Sequence, residues 1–320
     1  MHEDEREDER SPVNVTSAPS FQSQSSAALP VSVAVTEVSV SIVVYRPDMA
    51  LLDRTLDTLA AASAVLRASA PGWRTRVVIV DNDDTSDTSD IGHADGRPDL
   101  SPRMARLREA DIEMQLIAGH GNVGYGRGHN LAIDGIHADA SRYHLILNPD
   151  VELEEQALVR ALEFMEQHPE VGLLSPWIGD EKGHRQYLCR RYPTVFDLFI
   201  RGFMPQRIRR LFARRLARYE MRDVLNDTDI VREPPIVSGC FMLFRTDVLK
   251  KLGSFDPRYF LYFEDYDLSL RTHDVAEVAY VPAVRVMHYG GGAGRKGAAH
   301  IRMFVASAFR FFSRFGWKWV

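Results

Sequence analysis

The sequence predicts an α/β fold, a mostly parallel, Rossmann-like sheet with helices on both faces. Three observations predict it. Strand-like and helix-like segments alternate as β-α-β-β-α-β-α through the first half. Several strands, such as Arg76 to Val80 and Tyr143 to Leu147, are nearly uninterrupted apolar runs, which suits a sheet covered on both sides. Polar clusters end or follow these runs: Asp81-Asn82, Asn148-Pro149-Asp150, and His288-Tyr289-Gly290-Gly291-Gly292. In an open α/β sheet, strand ends converge on one crevice.

Taken in order, residues 1–35 read as a disordered tail, with a charge block followed by Ser, Ala, Pro and Gln. Val38 to Tyr45 is the first strand, broken by Arg46-Pro47-Asp48. A helix follows, with Leu51, Leu52, Thr55, Leu56, Leu59 and Ala60 on one face. After Arg76 to Val80, a polar loop is expected to about residue 104. Glu113 to Ile117 is a third strand, and Asn130 to His137 lies in a helix. Tyr143 to Leu147 is a fourth strand, and Glu152 to His168 is helical, begun by acids that suit its positive end. Residues 185–222 contain eleven arginines, and Met204, Ile208, Leu211, Phe212, Leu216 and Tyr219 keep helical spacing. Ile236 to Arg245 reads as a strand interrupted at Ser238-Gly239. Thr246 to Leu252 is a short helix closed by Gly253. Tyr266 to His273 is another helix, with Asp267 as its cap. Val278 to Val286 is the last apolar run, and Phe304 to Trp319 mixes aromatics with Arg and Lys.

Composition bounds the class. A chain of 320 residues, 45% hydrophobic and 26% charged, can bury a sizeable core. The net charge of −5 comes mostly from residues 1–10, whose six acids and two arginines give −4 and leave −1 for the rest. Charge therefore gives no case for nucleic acid as a partner. Two cysteines, Cys189 and Cys240, make no disulfide framework and fit a reducing compartment. No apolar run reaches the roughly 18 residues of a bilayer span, and the N-terminus lacks a secretory pattern. A cytoplasmic protein is expected.

Each polar cluster has an ordinary structural reading beside a chemical one. Asp81-Asn82 could start a turn or accept from a base or ribose hydroxyl. Gly119-His120-Gly121-Asn122-Val123-Gly124 matches G-x-G-x-x-G between a strand and a helix. A complete β-α-β unit precedes it, however, whereas a dinucleotide fingerprint opens its domain. Arg127 could meet phosphate. Asp150 could cap a helix or bind Mg²⁺ or Mn²⁺ carried by a substrate diphosphate. Glu264-Asp265 sits between the aromatic run Tyr259 to Phe263 and a helix. Desolvation there would raise its basicity, as a general base acting on a sugar hydroxyl needs.

These segments together resemble a family 2 glycosyltransferase, most nearly the bacterial rhamnosyltransferase-like branch. The resemblance is carried, in order, by Ser41 to Tyr45, Val77 to Asn82, Gly121 to Tyr125, Leu147 to Asp150, Ser238 to Leu243, Gly253 to Asp256, Phe260 to Leu268 and His288 to Gly291. It implies a GT-A fold over residues 36–320: a nucleotide-sugar-binding half (36–150), an acceptor and catalytic half (151–290), and an amphipathic helical end (291–320). It implies inverting, metal-assisted transfer of a sugar, such as L-rhamnose from a dTDP or UDP donor. The acceptor would be a saccharide, free in a cell-surface glycan or linked to a polyprenyl diphosphate. The implied catalytic residues are Asp265 and Glu264, and the implied metal ligands are Asp150 and His288. The donor side comprises Val44, Tyr45, Asp81, Asn82, Gly124, Arg127, Asn130, Asn148 and Pro149, and the acceptor side Ser238, Gly239 and Tyr266. The usual Asp-x-Asp is here Asn148-Pro149-Asp150, and the Gln-x-x-Arg-Trp of processive synthases is absent, which favours adding one or few sugars. The alternative is an NAD(P)-dependent oxidoreductase using Gly119–Gly124. A further alternative, a non-catalytic membrane-associated scaffold, rests on the basic aromatic segments, which suit peripheral attachment to an anionic membrane surface.

Overall fold

The computed structural model describes residues 15–16, 36–83, 99–136, 141–290 and 297–320. Most of the expected tail therefore lies outside the described residues, as do residues 84–98 of the expected polar loop, His137, Gly291 and Gly292.

Strand β1 (Val15–Thr16) is followed by β2 (Thr36–Val44), buried from Val38 onward. Asp48 starts α1 (Met49–Ser69), its carboxylate accepting from the amides of Ala50 and Leu51 at 3.0 and 3.2 Å. Two open donors of the first turn are thereby satisfied. One stripe of α1, with Leu52, Leu56, Leu59 and Leu66, is buried. Strand β3 (Trp73–Asp81) follows, then α2 (Ser101–Glu109) and β4 (Glu113–Ile117). The predicted loop is thus helical from Ser101, and Pro102 in the first turn costs no hydrogen bond there. Helix α3 (Tyr125–Asp134) begins earlier than predicted, so Gly126 and Gly128 are helical.

After β5 (Ser141–Leu147), Glu152 and Leu153, expected to be helical, join Val151 in β6 (Val151–Leu153), and α4 (Ala157–Gln167) starts later. Strand β7 (Val171–Gly179) is buried throughout. The arginine-rich segment folds as α5 (Val195–Phe203), α6 (Gln206–Leu211) and α7 (Ala213–Tyr219). Pro205 explains the first break, since Met204 before it is held extended. Next come β8 (Ile230–Arg232), β9 (Phe241–Arg245) and α8 (Thr246–Lys251). Strand β9 is shorter than predicted, because Ile236 makes only an isolated bridge to Arg190. Helix α9 (Glu264–Thr272), β10 (Glu277–His288) and α10 (Ala298–Phe315) complete the chain.

Among the described residues the strands form one sheet in the order β1-β8-β10-β7-β9-β5-β2-β3-β4, with β6 against the end of β10. Strands β2 to β5 run parallel, as do β7 and β10, while β9 is antiparallel to both β5 and β7. Because β3 and β5 flank β2, the connections leaving their C-terminal ends diverge and open a crevice. No helix among the described residues is long and apolar enough to cross a membrane.

Candidate active site

A cleft of about 520 Å³ occupies that crevice, lined among others by Tyr45, Asn82, Gly124, Asn148, Pro149 and Asp150. Val43 faces it, whereas the side chain of Val44 is in the core. Asp81 is buried just behind, accepting the amide of Asp83 at 2.9 Å. The Asn82 side chain donates to the Gly124 carbonyl at 2.9 Å and lies 2.9 Å from His120 Nε2, fixing the glycine loop.

That loop packs protein on protein. Gly124 has φ +89°, and a Cβ there would stand 2.3 Å from the Phe260 carbonyl oxygen. The same carbonyl accepts the Tyr125 amide at 3.0 Å, using an amide at the start of α3. A Cβ on Gly126 would meet Phe255, and one on Gly128 would meet Val43, each at 2.9 Å. These glycines therefore admit neighbouring protein groups, where a dinucleotide fingerprint admits a pyrophosphate. Arg127 and Asn130 lie away from the cleft. Arg127 is exposed and donates to the Pro257 carbonyl at 2.6 Å, and Asn130 exchanges two hydrogen bonds with the Phe255 backbone.

Asp150 and His288 are brought together by the short pairing of β6 with β10, in which His288 faces Val151. His288 Nε2 lies 3.4 Å from Asp150 Oδ1, and the Tyr289 amide donates to the Asp150 carbonyl at 3.0 Å. Gly290 closes on the pair, its absent Cβ leaving room for the imidazole. Asp150 Oδ1 and His288 Nδ1 are buried without hydrogen-bond partners. A carboxylate and an imidazole with unmet capacity fit a divalent cation, Mn²⁺ better than the harder Mg²⁺. Among the described residues no cluster of three ligands exists, so substrate oxygens and water would complete the shell.

The acid pair stands at the start of α9. Tyr262 and Phe263 take φ +71° and +66°, consecutive left-handed residues that turn the chain abruptly into the helix. Glu264 and Asp265 thus occupy its first turn, the helix starting two residues earlier than predicted. Glu264 is buried with Oε2 unpartnered; burial, then the Asp265 charge, push its carboxyl up to about 8. Burial also raises Asp265, but the amides of Gly239 and Tyr266, each at 3.0 Å, favour its ionised form. Within the pair, the backbone donors therefore favour the charge on Asp265 and the proton on Glu264. Asp267, predicted to cap the helix, is instead fully buried between Arg271 at 2.5 Å and Arg314 at 2.9 Å.

Tyr125 joins the two groups, although no local sequence pattern gives it a role at the site. Its hydroxyl lies 2.7 Å from the Gly239 carbonyl and 3.0 Å from the Asn148 side-chain oxygen. One phenol proton serves one acceptor at a time, so an Asn148 amide turned over would satisfy both contacts. Burial, then Glu264, hold the phenol well above its ordinary range, so it stays neutral. Thr55 is a second residue without an expected role at the site: it donates to Pro149 at 2.9 Å and accepts from Val151 at 3.1 Å, holding the Asp150 turn. A polar residue on the buried stripe of α1 was the available signal. Of the residues expected on the acceptor side, Gly239 touches the acid pair and Ser238 accepts from Cys240 at 3.4 Å. Tyr266 points elsewhere, to the Tyr219 hydroxyl at 2.9 Å. Burial pushes the Cys240 thiol up to about 12, so it is no nucleophile.

The family model described as "Glycosyltransferase like family 2" matches residues 38–304. The N-acetylglucosaminyl-diphospho-decaprenol L-rhamnosyltransferase of Mycobacterium tuberculosis is 28% identical over 228 residues, 68% of this chain and 71% of that protein. Rhamnosyltransferase WbbL of Escherichia coli is 27% identical over 202 residues, 61% of this chain and 72% of that protein. Among solved structures, GalNAc-T7 with UDP, GalNAc and Mn²⁺ superposes with a TM-score of 0.53 at 14% identity, over 81% of this chain and 44% of that one. A mannosyltransferase from Pyrobaculum calidifontis with GDP-Man and Mn²⁺ gives 0.52 at 16% identity, over 94% and 68%. The fold is GT-A.

Proposed function

From the premise that this chain belongs to glycosyltransferase family 2, we propose that it moves a sugar from a nucleoside-diphosphate donor to a saccharide acceptor in one inverting displacement. The enzyme class is settled by the family, and the nicotinamide alternative falls with it. One observation carries the finer reading. The Asn148-Pro149-Asp150 turn and the Gly239–Asp265 contact meet at a single hydroxyl, that of Tyr125. A donor diphosphate held by the turn would therefore lie close to a base.

In the proposed reaction the ionised Asp265 accepts the proton of the acceptor hydroxyl. The acceptor oxygen forms a bond to the anomeric carbon as the carbon–oxygen bond to the diphosphate breaks, its electron pair leaving on phosphate. Glu264, protonated and buried, keeps a second negative charge out of the site. Asp81 and Asn82 would serve base or ribose, and Tyr45 the donor. Asp150 and His288 would hold Mn²⁺ or Mg²⁺, which when bound offsets charge building on the leaving diphosphate. Residues 36–150 and 151–290 would be donor and acceptor halves of one continuous sheet.

The names of the relatives support rhamnose, in one name L-rhamnose, as the sugar transferred; the donor we propose for it is dTDP-rhamnose. One of those names supports a polyprenyl-diphosphate-linked acceptor, with which the enzyme would work at the inner face of the cell membrane. The test is binding of dTDP, UDP, GDP and NAD(H), followed by transfer from dTDP-rhamnose with Mn²⁺ or with EDTA. Tightest binding of dTDP and loss of transfer in EDTA are expected. Preference for another nucleotide overturns the donor, and full transfer in excess EDTA overturns the cation.

A further inference from the structure

The amphipathic wall beside the cleft has a use that the transfer chemistry leaves unassigned. Helix α10 is two-sided. His300 and Met303 line the cleft, while Phe311 and Phe312 are buried in an aromatic cluster. On its outer side Ile301, Val305 and Phe309 recur at four-residue spacing and are about half exposed or more. Helix α5 continues this surface, since exposed Phe203 stacks on exposed Phe199 and touches Phe304 of α10. Helix α6 adds Ile208 and Leu211, the latter 81% exposed.

The charge on this wall has one sign. Residues 198–219 and 298–320 contain no Asp or Glu. Arg207, Arg209, Arg210, Arg214 and Arg302 are exposed and form no ion pair among the described residues. Other arginines of these segments are already committed: Arg201 to Glu220, Arg215 to Asp197, and Arg314 to Asp256 and Asp267. Exposed apolar side chains flanked by unpaired guanidinium groups suit the boundary between lipid headgroups and acyl chains. A second copy of the chain fits badly, because a self-contact would press like charges together.

We infer that the outer faces of α5, α6 and α10 form a docking surface for an anionic lipid bilayer, with the cleft opening at its edge. This deepens the proposed function, since a lipid-linked acceptor would then reach the cleft without leaving the membrane. Docking itself does not depend on the sugar transferred.

The test is co-sedimentation of the full chain with phosphatidylglycerol–phosphatidylcholine vesicles and with pure phosphatidylcholine vesicles, at low and high salt. Binding to the anionic vesicles at low salt, weakened by salt, is expected. Replacing Arg207, Arg209 and Arg210 by Gln should lower partitioning roughly a hundredfold, on a scale of about fivefold per surface arginine. Leu211→Ser with Phe309→Ser should weaken it separately. Circular dichroism and dTDP binding verify the fold of each variant. A wild-type chain left in the supernatant with anionic vesicles at low salt overturns the inference. So does equal binding to neutral vesicles, unchanged binding of the arginine variant, or concentration-dependent dimerisation through this face in place of vesicle binding. Transfer to a water-soluble acceptor is read on the same proteins. Its absence with vesicle binding intact would count against the catalytic reading alone.

Discussion

Gly290→Ala isolates the Asp150–His288 pair from the rest of the enzyme. The φ of Gly290 lies outside the left-handed region, so alanine meets no backbone obstacle there. Its Cβ would stand 2.3 Å from His288 Nε2, 2.5 Å from Cε1 and 3.1 Å from Asp150 Oδ2. Ordinary contact begins at 3.4 Å, so the imidazole edge must retreat by about 1 Å. The ring already lies 3.4 Å from Asp150 Oδ1. A retreat of that size spoils a shared cation whose ligands must stand about 2 Å away. Disturbing the groups that orient metal ligands typically costs ten- to hundredfold in metal affinity. The expected outcome is a rise of roughly that size in half-saturating Mn²⁺, with turnover restored at saturation. The assay titrates Mn²⁺ into EDTA-stripped enzyme and follows release of the nucleoside diphosphate. Nucleotide binding in EDTA should be unchanged. An unaltered Mn²⁺ requirement in the folded variant would refute the placing of the cation.

Asp265→Asn keeps the shape and removes the proton acceptor; kcat should fall about 10²–10⁴-fold with dTDP binding intact, and near-wild-type turnover would sink the assignment. Glu264 has its pKa raised from 4.5 to about 8, so its stabilising contribution is full below pH 4.5 and is lost as pH rises through about 8. Urea midpoints should decline across that window and Glu264→Gln should flatten the decline; an unchanged slope counts against the buried protonated acid. Asp267→Asn leaves Arg271 and Arg314 facing a neutral amide in a buried place. Part of the Arg314 side chain is in water, so a loss near the low end for a broken buried pair, about 3 kcal/mol, is expected in urea denaturation. A loss below about 1 kcal/mol would show that water already serves these arginines.

The strand ends were legible because apolar runs mark buried strands, and the residues after such runs fall in the crevice by topology. Asp81, Asp150 and His288 stand out in that way, whereas Asp265 stands out only by the aromatic run Tyr259 to Phe263 before it. What escaped depended on pairings that no local pattern encodes. The three residues of β6 are too few to show periodicity, and Glu152 with the acids after β6 mimics a helix start; the pairing with β10 makes them a strand. Tyr125 read as part of a glycine-rich turn because its partners, Asn148 and Gly239, lie on distant segments. Asp267 sits where a capping acid would, and its burial depends on Arg314 at the far end of the chain. Arg127 and Asn130 had donor groups in the right stretch, but the face of α3 that carries them turns toward residues 255–257.

The place of β9 in the sheet has a consequence for how the enzyme is made. Leu243 pairs with Leu145 on one side and Leu174 on the other, so among the described residues β5 and β7 are joined by a strand that comes much later. During synthesis the β2–β3–β4–β5 unit can form from local contacts, while β5 and β7 wait with open edges. Closing such long loops is entropically slow, and open apolar edges invite wrong pairing. Gly239 just precedes β9, and Asp265 and His288 follow it, so the proposed catalytic groups are completed late in the nascent chain. A chain stalled before residue 241 would carry most of the cleft with neither the proposed base nor a closed sheet, and is a natural substrate for chaperones.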